Sequence, residues 1–287
     1  MLLEFICARC KYAKLIILYQ VILQWHFHLS SRYKIYYMRN LVLFGLLIIF
    51  LVAVQFASGQ TVDDVIEKYE KARGGKDKLL AIKSIYMEGS REMMGNEVAV
   101  KITKEQGKLS RTEFEMGGTN GFMLVTEKEA WSFIPMRSPT PTKMPDEALA
   151  GMQTELDIAG PLVDYVAKGN TTELLGKDTV DGNTCFKIKL TTKAGKEIKY
   201  WIDASTYLIT QSSAKGGGRR PGGAGGAGAT ETEIFTIYAD YKAVDGIMFA
   251  HNIETKNPTG QGRASGGTTF DKIELNKPVD AKLFKPE

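Results

Sequence analysis

The sequence predicts a mainly β protein of the α+β type, a curved antiparallel half-barrel of eleven or twelve strands. Two observations lead to this fold class. Twelve segments of strand length follow one another, separated by Gly, Asn and charged turn residues. Helical spacing of apolar residues is confined to the start of the domain and to one central insert. A dozen consecutive antiparallel strands are too many for a flat sheet of this size, so the sheet must curl into a barrel or half-barrel.

The domain is expected to begin with an amphipathic helix over residues 61–72. Apolar residues such as Val62 and Tyr69 recur there at helical spacing, and acidic residues occupy the first turns, where the helix dipole favours negative charge. The glycine pair at 74–75 is a stop signal for this helix. A further short helical turn is expected over 77–82.

Strands account for most of the remaining chain. In one of them Val98, Val100 and Ile102 alternate with more polar neighbours, which predicts a sheet with one apolar and one wet face. The predicted strands are 85–92, 97–105, 108–116, 121–126, 130–134, 171–175, 184–192, 197–202, 207–213, 231–241, 248–255 and 268–274.

Turn residues between the strands also carry structural information. The pairs Asp181-Gly182 and Asp245-Gly246 stand where tight hairpins need positive φ. Residues 214–230 are rich in glycine and have too little apolar surface to order themselves, so a disordered loop is predicted there. These glycines do not follow a strand and open a helix, so they do not indicate a phosphate-binding loop.

The strand pattern is interrupted in the middle of the chain. Residues 135–145 include four prolines, which cannot join a central sheet ladder. Residues 146–167 are unusually apolar, and Gly160-Pro161 divides them into two predicted helical pieces. Two interpretations are open for this insert: an ordinary core helix, or a plug or lid lying in the hollow of the curved sheet.

Residues 38–59 have the three parts of a secretory signal peptide, namely a short basic start, an apolar run of about fourteen residues and a small-residue exit. Cleavage is expected near Gly59 and Gln60. Retention as a membrane anchor is the alternative, although a spanning helix usually needs about twenty apolar residues. Residues 1–37 are interpreted as a non-native upstream extension, with translation starting at Met38. We therefore expect a periplasmic protein, free or peripheral at the outer membrane.

Charge and catalytic inventory exclude several function classes. Residues 1–59 include six basic and one acidic residue, so the net charge of +4 becomes −1 without them. A near-neutral chain gives no electrostatic reason to expect nucleic acid as a partner. After residue 59 the chain has one histidine, His251, and one cysteine, Cys185. Nucleophilic catalysis and zinc binding need larger sets of residues, so we expect no catalytic residue, metal or cofactor.

The order of several sequence phrases resembles the outer-membrane lipoprotein-sorting proteins, the LolA/LolB-like periplasmic carriers. The phrases are Ala72-Arg73-Gly74-Gly75, Gly160-Pro161-Leu162-Val163-Asp164, Tyr200-Trp201-Ile202-Asp203 and the runs 176–188 and 241–251. The likeness spans residues 61–287. It implies a half-open antiparallel β-barrel whose concave apolar face is covered by helices. It also implies binding of a lipoprotein acyl chain or another lipid without covalent chemistry.

A cluster of flexible methionines and large apolar residues in the first half and the insert is the predicted lining of the cavity. Methionine provides adaptable, polarisable surface, and aromatic side chains provide area. The predicted site residues are Phe114, Met116, Phe122, Trp131, Phe133, Met136, Met144, Leu149, Met152 and Leu156. The favoured function is therefore that of a monomeric carrier of a lipid or lipoprotein acyl chain.

Two other functions stay open at this point. The same half-barrel could be a structural or sensory periplasmic module that binds a membrane-protein partner. An enzyme acting on envelope polymers would need clustered carboxylates, for which Asp157, Asp164, Asp203 and Glu254 are candidates by residue type. An apolar groove with room for a ligand would favour the carrier, whereas a filled barrel with a flat exposed patch would favour the module.

Overall fold

A computed structural model describes residues 60–93, 96–216, 232–257 and 266–287. The predicted upstream extension, the signal peptide and most of the glycine-rich loop lie outside the described residues. The first three residues of that predicted loop, 214–216, instead extend a strand, because their backbone pairs with 232–234.

The chain enters the fold through helix α1, Val62–Ala72, as predicted. Thr61 caps its start, and the Thr61 and Asp64 side chains each bond to the other's backbone N–H, which satisfies two donors that the first turn leaves free. The helix ends at Gly74 and Gly75, both with positive φ. The short helix α2, Lys76–Leu80, follows.

In the described part of the chain the sheet has thirteen strands, and twelve of them match the predicted segments. The additional strand, β6, comprises two residues inside the proline-rich stretch, which is too short to give a sequence pattern. The strands are β1 Ser84–Met93, β2 Asn96–Glu105, β3 Leu109–Met116, β4 Thr119–Thr126, β5 Ala130–Phe133, β6 Thr142–Lys143, β7 Thr171–Val180, β8 Asn183–Thr191, β9 Glu197–Asp203, β10 Ile209–Gly216, β11 Thr232–Val244, β12 Ile247–Lys256 and β13 Gly266–Leu275.

All pairings in this sheet are antiparallel, and all but one join consecutive strands. The order is β6-β5-β4-β3-β2-β1-β13-β12-β11-β10-β9-β8-β7. The exception is the pairing of β1 with β13, which joins an N-terminal arm (β1–β6) to a C-terminal arm (β7–β13). Strands β6 and β7 stay unpaired with each other, so the sheet is not closed into a barrel. This confirms the predicted half-barrel.

The two Asp-Gly hairpins have the predicted conformation. The φ angles are 47° and 83° at Asp181 and Gly182, and 52° and 76° at Asp245 and Gly246. Positive φ at both central residues gives a turn whose twist matches that of the strands it joins. These turns set the registers of β7 with β8 and of β11 with β12.

The central insert differs in part from the prediction. Its first piece is helix α3, Asp146–Met152, continued by the 3₁₀-helix Gln153–Leu156. The prediction of a second helix was wrong, because residues 161–169 form a succession of turns. The physical reason is backbone geometry, since Asp164 and Gly169 have φ of 51° and 74° and cannot continue a right-handed helix.

Apolar side chains are buried on both faces of the sheet, in a larger cluster on one face and a smaller cluster on the other. The main core lies on the concave face, where α1 packs through Val65, Ile66 and Tyr69 against β1, β2 and β8–β13. A smaller cluster around Leu124 on the convex face is covered by the C-terminal segment, including the 3₁₀-helix Ala281–Phe284. The alternation predicted for β2 is confirmed, since Val98, Val100 and Ile102 are all buried.

Strands β12 and β13 separate along part of their length. Their pairing covers only 252–255 and 266–269, although β12 begins at Ile247 and β13 ends at Leu275. Arg73, the residue that follows α1, lies at the free edge of β12. The Met248 N–H donates to the Arg73 carbonyl at 2.9 Å, and Arg73 Nε donates to the Met248 carbonyl at 2.9 Å. Arg73 therefore supplies hydrogen-bond partners for the β12 backbone that β13 does not.

Candidate functional site

The concave face encloses a hollow that consists of two connected chambers. We call them the broad chamber, of about 590 Å³, and the deep chamber, of about 290 Å³. Residues from both arms of the sheet line the broad chamber, which shows that the sheet curls around it. The two chambers share Met87, Lys104, Tyr238 and Ile253 as lining residues.

The register of the sheet builds the wall of the broad chamber in rows. One row, at one end of the hollow, runs across Arg91 of β1, Thr268 of β13, Ile253 of β12 and Tyr238 of β11. The rows behind it are more apolar. They include Met87, Val100, Ile102, Phe114, Val125 and Phe270.

Two glycines make room for the aromatic residues of this wall. A Cβ at Gly89 would lie 1.9 Å from the Thr269 carbonyl oxygen. Gly89 is at the irregularity in the pairing of β1 with β13, where it lies opposite Phe270. A Cβ at Gly121 would lie 2.4 Å from the Phe114 ring. Glycine at these positions therefore lets Phe114 and Phe270 lie on the chamber wall.

A lid formed by α3 and the following 3₁₀-helix, residues 146–156, covers the opposite end of the broad chamber. Lys104 Nζ, on the wall, donates to both the carbonyl and the carboxylate of Glu155 at 3.0 Å. The positive charge of Lys104 lowers the pKa of the Glu155 carboxyl. The Lys104 side chain is 18% exposed and that of Glu155 is 55% exposed, so this ion pair lies at the edge of the chamber.

The lid contacts both arms of the sheet. On the N-terminal arm, the Gly107 N–H donates to the Leu156 carbonyl at 2.9 Å, and Leu156 packs against Val125 and Ala130. On the C-terminal arm, the Lys196 ammonium donates to the Gly151 carbonyl at 3.3 Å. The lid therefore bridges the opening between the two arms.

The deep chamber lies between α1, the turn at 158–162 and strands of the C-terminal arm. The Tyr241 hydroxyl donates to the Ile209 carbonyl at 2.8 Å, and the Tyr69 hydroxyl accepts from Arg73 at 2.9 Å. Burial raises the pKa of Tyr200, so its hydroxyl stays neutral at physiological pH. The tyrosines that line this chamber are Tyr69, Tyr200, Tyr238 and Tyr241.

Three cationic side chains line the hollow, and they differ in their partners. Lys104 has the carboxylate of Glu155. Arg73 donates to the Met248 carbonyl and the Tyr69 hydroxyl, and its guanidinium also lies over aromatic rings. Arg91 donates from Nε to the Thr268 hydroxyl at 2.7 Å. Burial lowers the pKa of Arg91, and among the described residues no carboxylate offsets that effect.

The structure brings some of the predicted site residues together at the broad chamber. Phe114, Phe122 and Met152 line it, although Phe122 also packs in the convex cluster. Met144, Leu149 and Leu156 lie beside it, where they pack the lid onto the sheet.

Other predicted site residues lie elsewhere. Trp131 and Phe133 point to the convex face and pack against the C-terminal segment, so the cavity role predicted for them does not fit the structure. The reason is strand parity, since Ser132 and Ile134 of the same run line the chamber instead. Met136 is 73% exposed in a loop. Met116 is half-buried at the end of β3, outside the lining of the chambers.

Sequence reasoning missed the contribution of the C-terminal arm and of β1. Met87 and Arg91 of β1, Tyr238 of β11, Ile253 of β12 and Phe270 of β13 line the broad chamber. The available signal was the period-two alternation in these strands. It separates the two faces of each strand, but it does not say which face is concave.

The four carboxylates considered for an enzyme are each engaged in a separate local contact. Asp157 pairs with Lys168, Asp164 with Lys76 and Glu254 with Lys256. Asp203 accepts hydrogen bonds from the backbone N–H groups of Ser205 and Thr206, which is the contact of a turn former. Across 60–93, 96–216, 232–257 and 266–287, no group of three or more His, Cys, Asp and Glu side chains is arranged to hold a metal ion.

The histidine and the cysteine that remain after residue 59 both have structural surroundings. Cys185 is fully buried, and burial raises the pKa of its thiol, so it behaves as a small buried hydrophobe. His251 lies in β12, within the predicted strand 248–255, and its side chain is buried. Its Nδ1 lies 2.7 Å from the Phe270 carbonyl oxygen, which can only accept, so the proton is on Nδ1.

The fold and the hollow define the chain as an open, lidded β half-barrel. A LolA superfamily protein from Nitrosomonas europaea has this fold, with a TM-score of 0.51 and 12% identity over 79% of this chain and 99% of its own. A DUF1329 family protein from Desulfovibrio piger is similar, with a TM-score of 0.51 and 14% identity over 79% of this chain and 98% of its own.

The chain therefore has the LolA-like fold that the sequence resemblance implied. No protein-family model and no curated protein matches its sequence. Within the described part of the chain, none of the helices is long and apolar enough to cross a membrane.

Proposed function

We propose that the protein is a carrier that holds the acyl chain of a lipid or lipoprotein in the hollow and performs no covalent chemistry. The observation that carries the proposal is the pair of connected chambers beneath a bridging lid. A chamber of about 590 Å³ is in the size range of sites that enclose small ligands, about 300–1,000 Å³. Each methylene buried there contributes about 0.8 kcal/mol to binding.

The lid supports release as well as binding. None of the seven residues of α3 is buried, and the lid is anchored by buried Leu156, by partly buried Leu149 and Met152, by the Lys104–Glu155 pair and by a few hydrogen bonds. An element held by so few contacts opens at a small fraction of the free energy of global unfolding. The lid can therefore admit and release an acyl chain while the sheet stays folded.

The predicted signal peptide indicates the compartment in which the carrier would work. We propose that residues 38–59 direct export and are removed near Gly59 and Gln60, so that the carrier works in the periplasm as a monomer. Its acyl cargo would then be exchanged with lipids or lipoproteins of the envelope, with or without a membrane-protein partner.

Native mass spectrometry with solvent extraction tests the proposal. Protein produced from the full sequence and purified without detergent is expected to carry one acyl-bearing molecule per chain. The protein mass from the same spectrum locates the N-terminus of the mature chain.

A matched pair of variants gives the control. Met123→Lys places a charge on the wall of the broad chamber and should remove the bound molecule. Met136→Lys makes the same change on an exposed loop and should leave binding intact. A mass that stays free of ligand when lipids and lipoproteins are offered would contradict the carrier and favour a module that binds a protein partner.

A further inference from the structure

The broad chamber contains a half-buried cation, Arg91, that no carboxylate of the described residues neutralises. Arg91 lies in a row of concave-facing side chains with Val98 on one side and Thr268 and Ile253 on the other. Its hydrogen-bond partner among the described residues is the neutral Thr268 hydroxyl, bonded through Nε.

Buried charges are normally paired, because an isolated charge in apolar surroundings loses its hydration without compensation. The other two cationic side chains of the hollow have more partners: Lys104 has a carboxylate, and Arg73 has two neutral acceptors and two aromatic rings. Arg91 departs from this rule. The remaining N–H groups of its planar guanidinium suit a carboxylate or phosphate, which they can bind in a bidentate manner.

We propose that Arg91 binds the anionic head, a carboxylate or phosphate group, of an amphiphile whose acyl chain lies along the broad chamber. This inference rests on the proposed carrier function and specifies its ligand. The chain would run from the Arg91 row across Val100 and Ile102 of β2 towards Lys104. Lys104 is six residue steps along β2 from Val98, which gives an apolar path of roughly 20 Å at about 3.3 Å per step.

The test compares ligands that share one chain and differ in the head. Binding of palmitate, palmitoyl-lysophosphatidate and hexadecanol is measured by calorimetry with the wild-type protein and Arg91→Met. We expect the variant to lose about ten- to a hundredfold in affinity for the two anionic ligands and to keep its affinity for hexadecanol. The anionic ligand with the larger loss identifies the head as carboxylate or phosphate.

Two further variants separate recognition from folding. Arg91→Lys keeps the charge but not the planar fork, and should give intermediate affinities. Lys101→Met removes one positive charge from an exposed position of β2 and should change none of the three affinities. The ligand-free Arg91→Met protein should unfold at a temperature no lower than wild type, because the half-buried Arg91 charge has no carboxylate partner among the described residues that the substitution would remove.

The outcomes distinguish this inference from the proposed function. If the wild-type protein binds hexadecanol and Arg91→Met weakens all three ligands equally, or none of them, the role of Arg91 is refuted and the carrier stands. If the wild-type protein binds none of the three, the carrier function and the inference that rests on it both fail.

Discussion

The ion pair of Lys104 and Glu155 joins the lid to the sheet and includes a carboxyl group that titrates in the acid range. The Lys104 charge holds the pKa of Glu155 below its usual range, so the folded, closed state favours the carboxylate. The pair is therefore intact above the ordinary glutamate pKa of about 4.3 and is lost as the pH falls through the lowered value. Acidification should open the lid.

We expect a pyrene-labelled fatty alcohol, whose head does not titrate, to leave the hollow faster below about pH 4. Glu155→Gln should show faster release at neutral pH, by about two- to fivefold, and a weaker dependence on acid. Stopped-flow fluorescence measures the rates. Glu173→Gln breaks a comparably exposed pair with Lys189 away from the lid and should behave like wild type. Equal rates in both variants at neutral pH would show that Glu155 does not hold the lid.

At the seam between β1 and β13, one glycine is required for steric reasons. A Cβ at Gly89 would overlap the Thr269 carbonyl oxygen, whereas one at Gly267 in the same pair of strands would meet nothing within 4 Å. Gly89→Ala should lower the free energy of unfolding by about 1–3 kcal/mol because the backbone must shift. Gly267→Ala should change it by less than about 0.5 kcal/mol. Urea denaturation measures both, and similar values for the two variants would contradict the close approach.

Among the elements, the lid has the weakest attachment to the rest of the fold. Its 3₁₀-helix buries Leu156 against β4 and β5, while α3 buries none of its residues. The local stability of residues 146–156 therefore depends on one side chain to a large extent.

Leu156→Ala should release the lid without unfolding the sheet. Removing this buried side chain destabilises its cluster by about 2 kcal/mol or more, so amide hydrogen exchange in 146–156 should accelerate at least tenfold. Exchange in β8–β10 should not change. Leu80→Ala, at a position 43% exposed, is the matched control and should leave lid exchange as in wild type. Uniform acceleration over the whole sheet would instead make the lid part of the global folding unit.

Strand and turn positions could be predicted from sequence because their signals are local. An Asp-Gly pair between two alternating runs needs no distant information, and the two such turns have the predicted geometry. The lining of the chamber depends on which face of each strand is concave, and a one-residue difference reverses it. Size favours Trp131 and Phe133 as cavity residues, yet they pack on the convex face and Ser132 lines the chamber. No local sequence pattern marks Arg91 as a site residue. Its proposed role depends on which acceptors the distant strands β12 and β13 place beside its guanidinium.

For the molecule as a whole, ligand and fold should be thermodynamically linked. A ligand that fills the hollow binds the native state alone and stabilises it, by about 2.7 kcal/mol at a concentration one hundred times its Kd. We expect palmitate to raise the Tm of the wild-type protein in calorimetric scans and to leave that of Met123→Lys unchanged. An unchanged Tm for the wild-type protein, or an equal rise in the variant, would show that palmitate does not stabilise the protein from within the hollow.

The order of the strands also has a consequence for how the chain is made. Every neighbour in the sheet is the next strand in sequence, except that β1 pairs with β13, about 180 residues later. A chain synthesised or exported from its N-terminus can form its hairpins as they appear, but one edge of β1 stays open until the last strand arrives. Closing so long a loop is slow, and an unpaired edge invites pairing with other chains. The newly made protein is thus most prone to aggregation in the interval before its final strand is available.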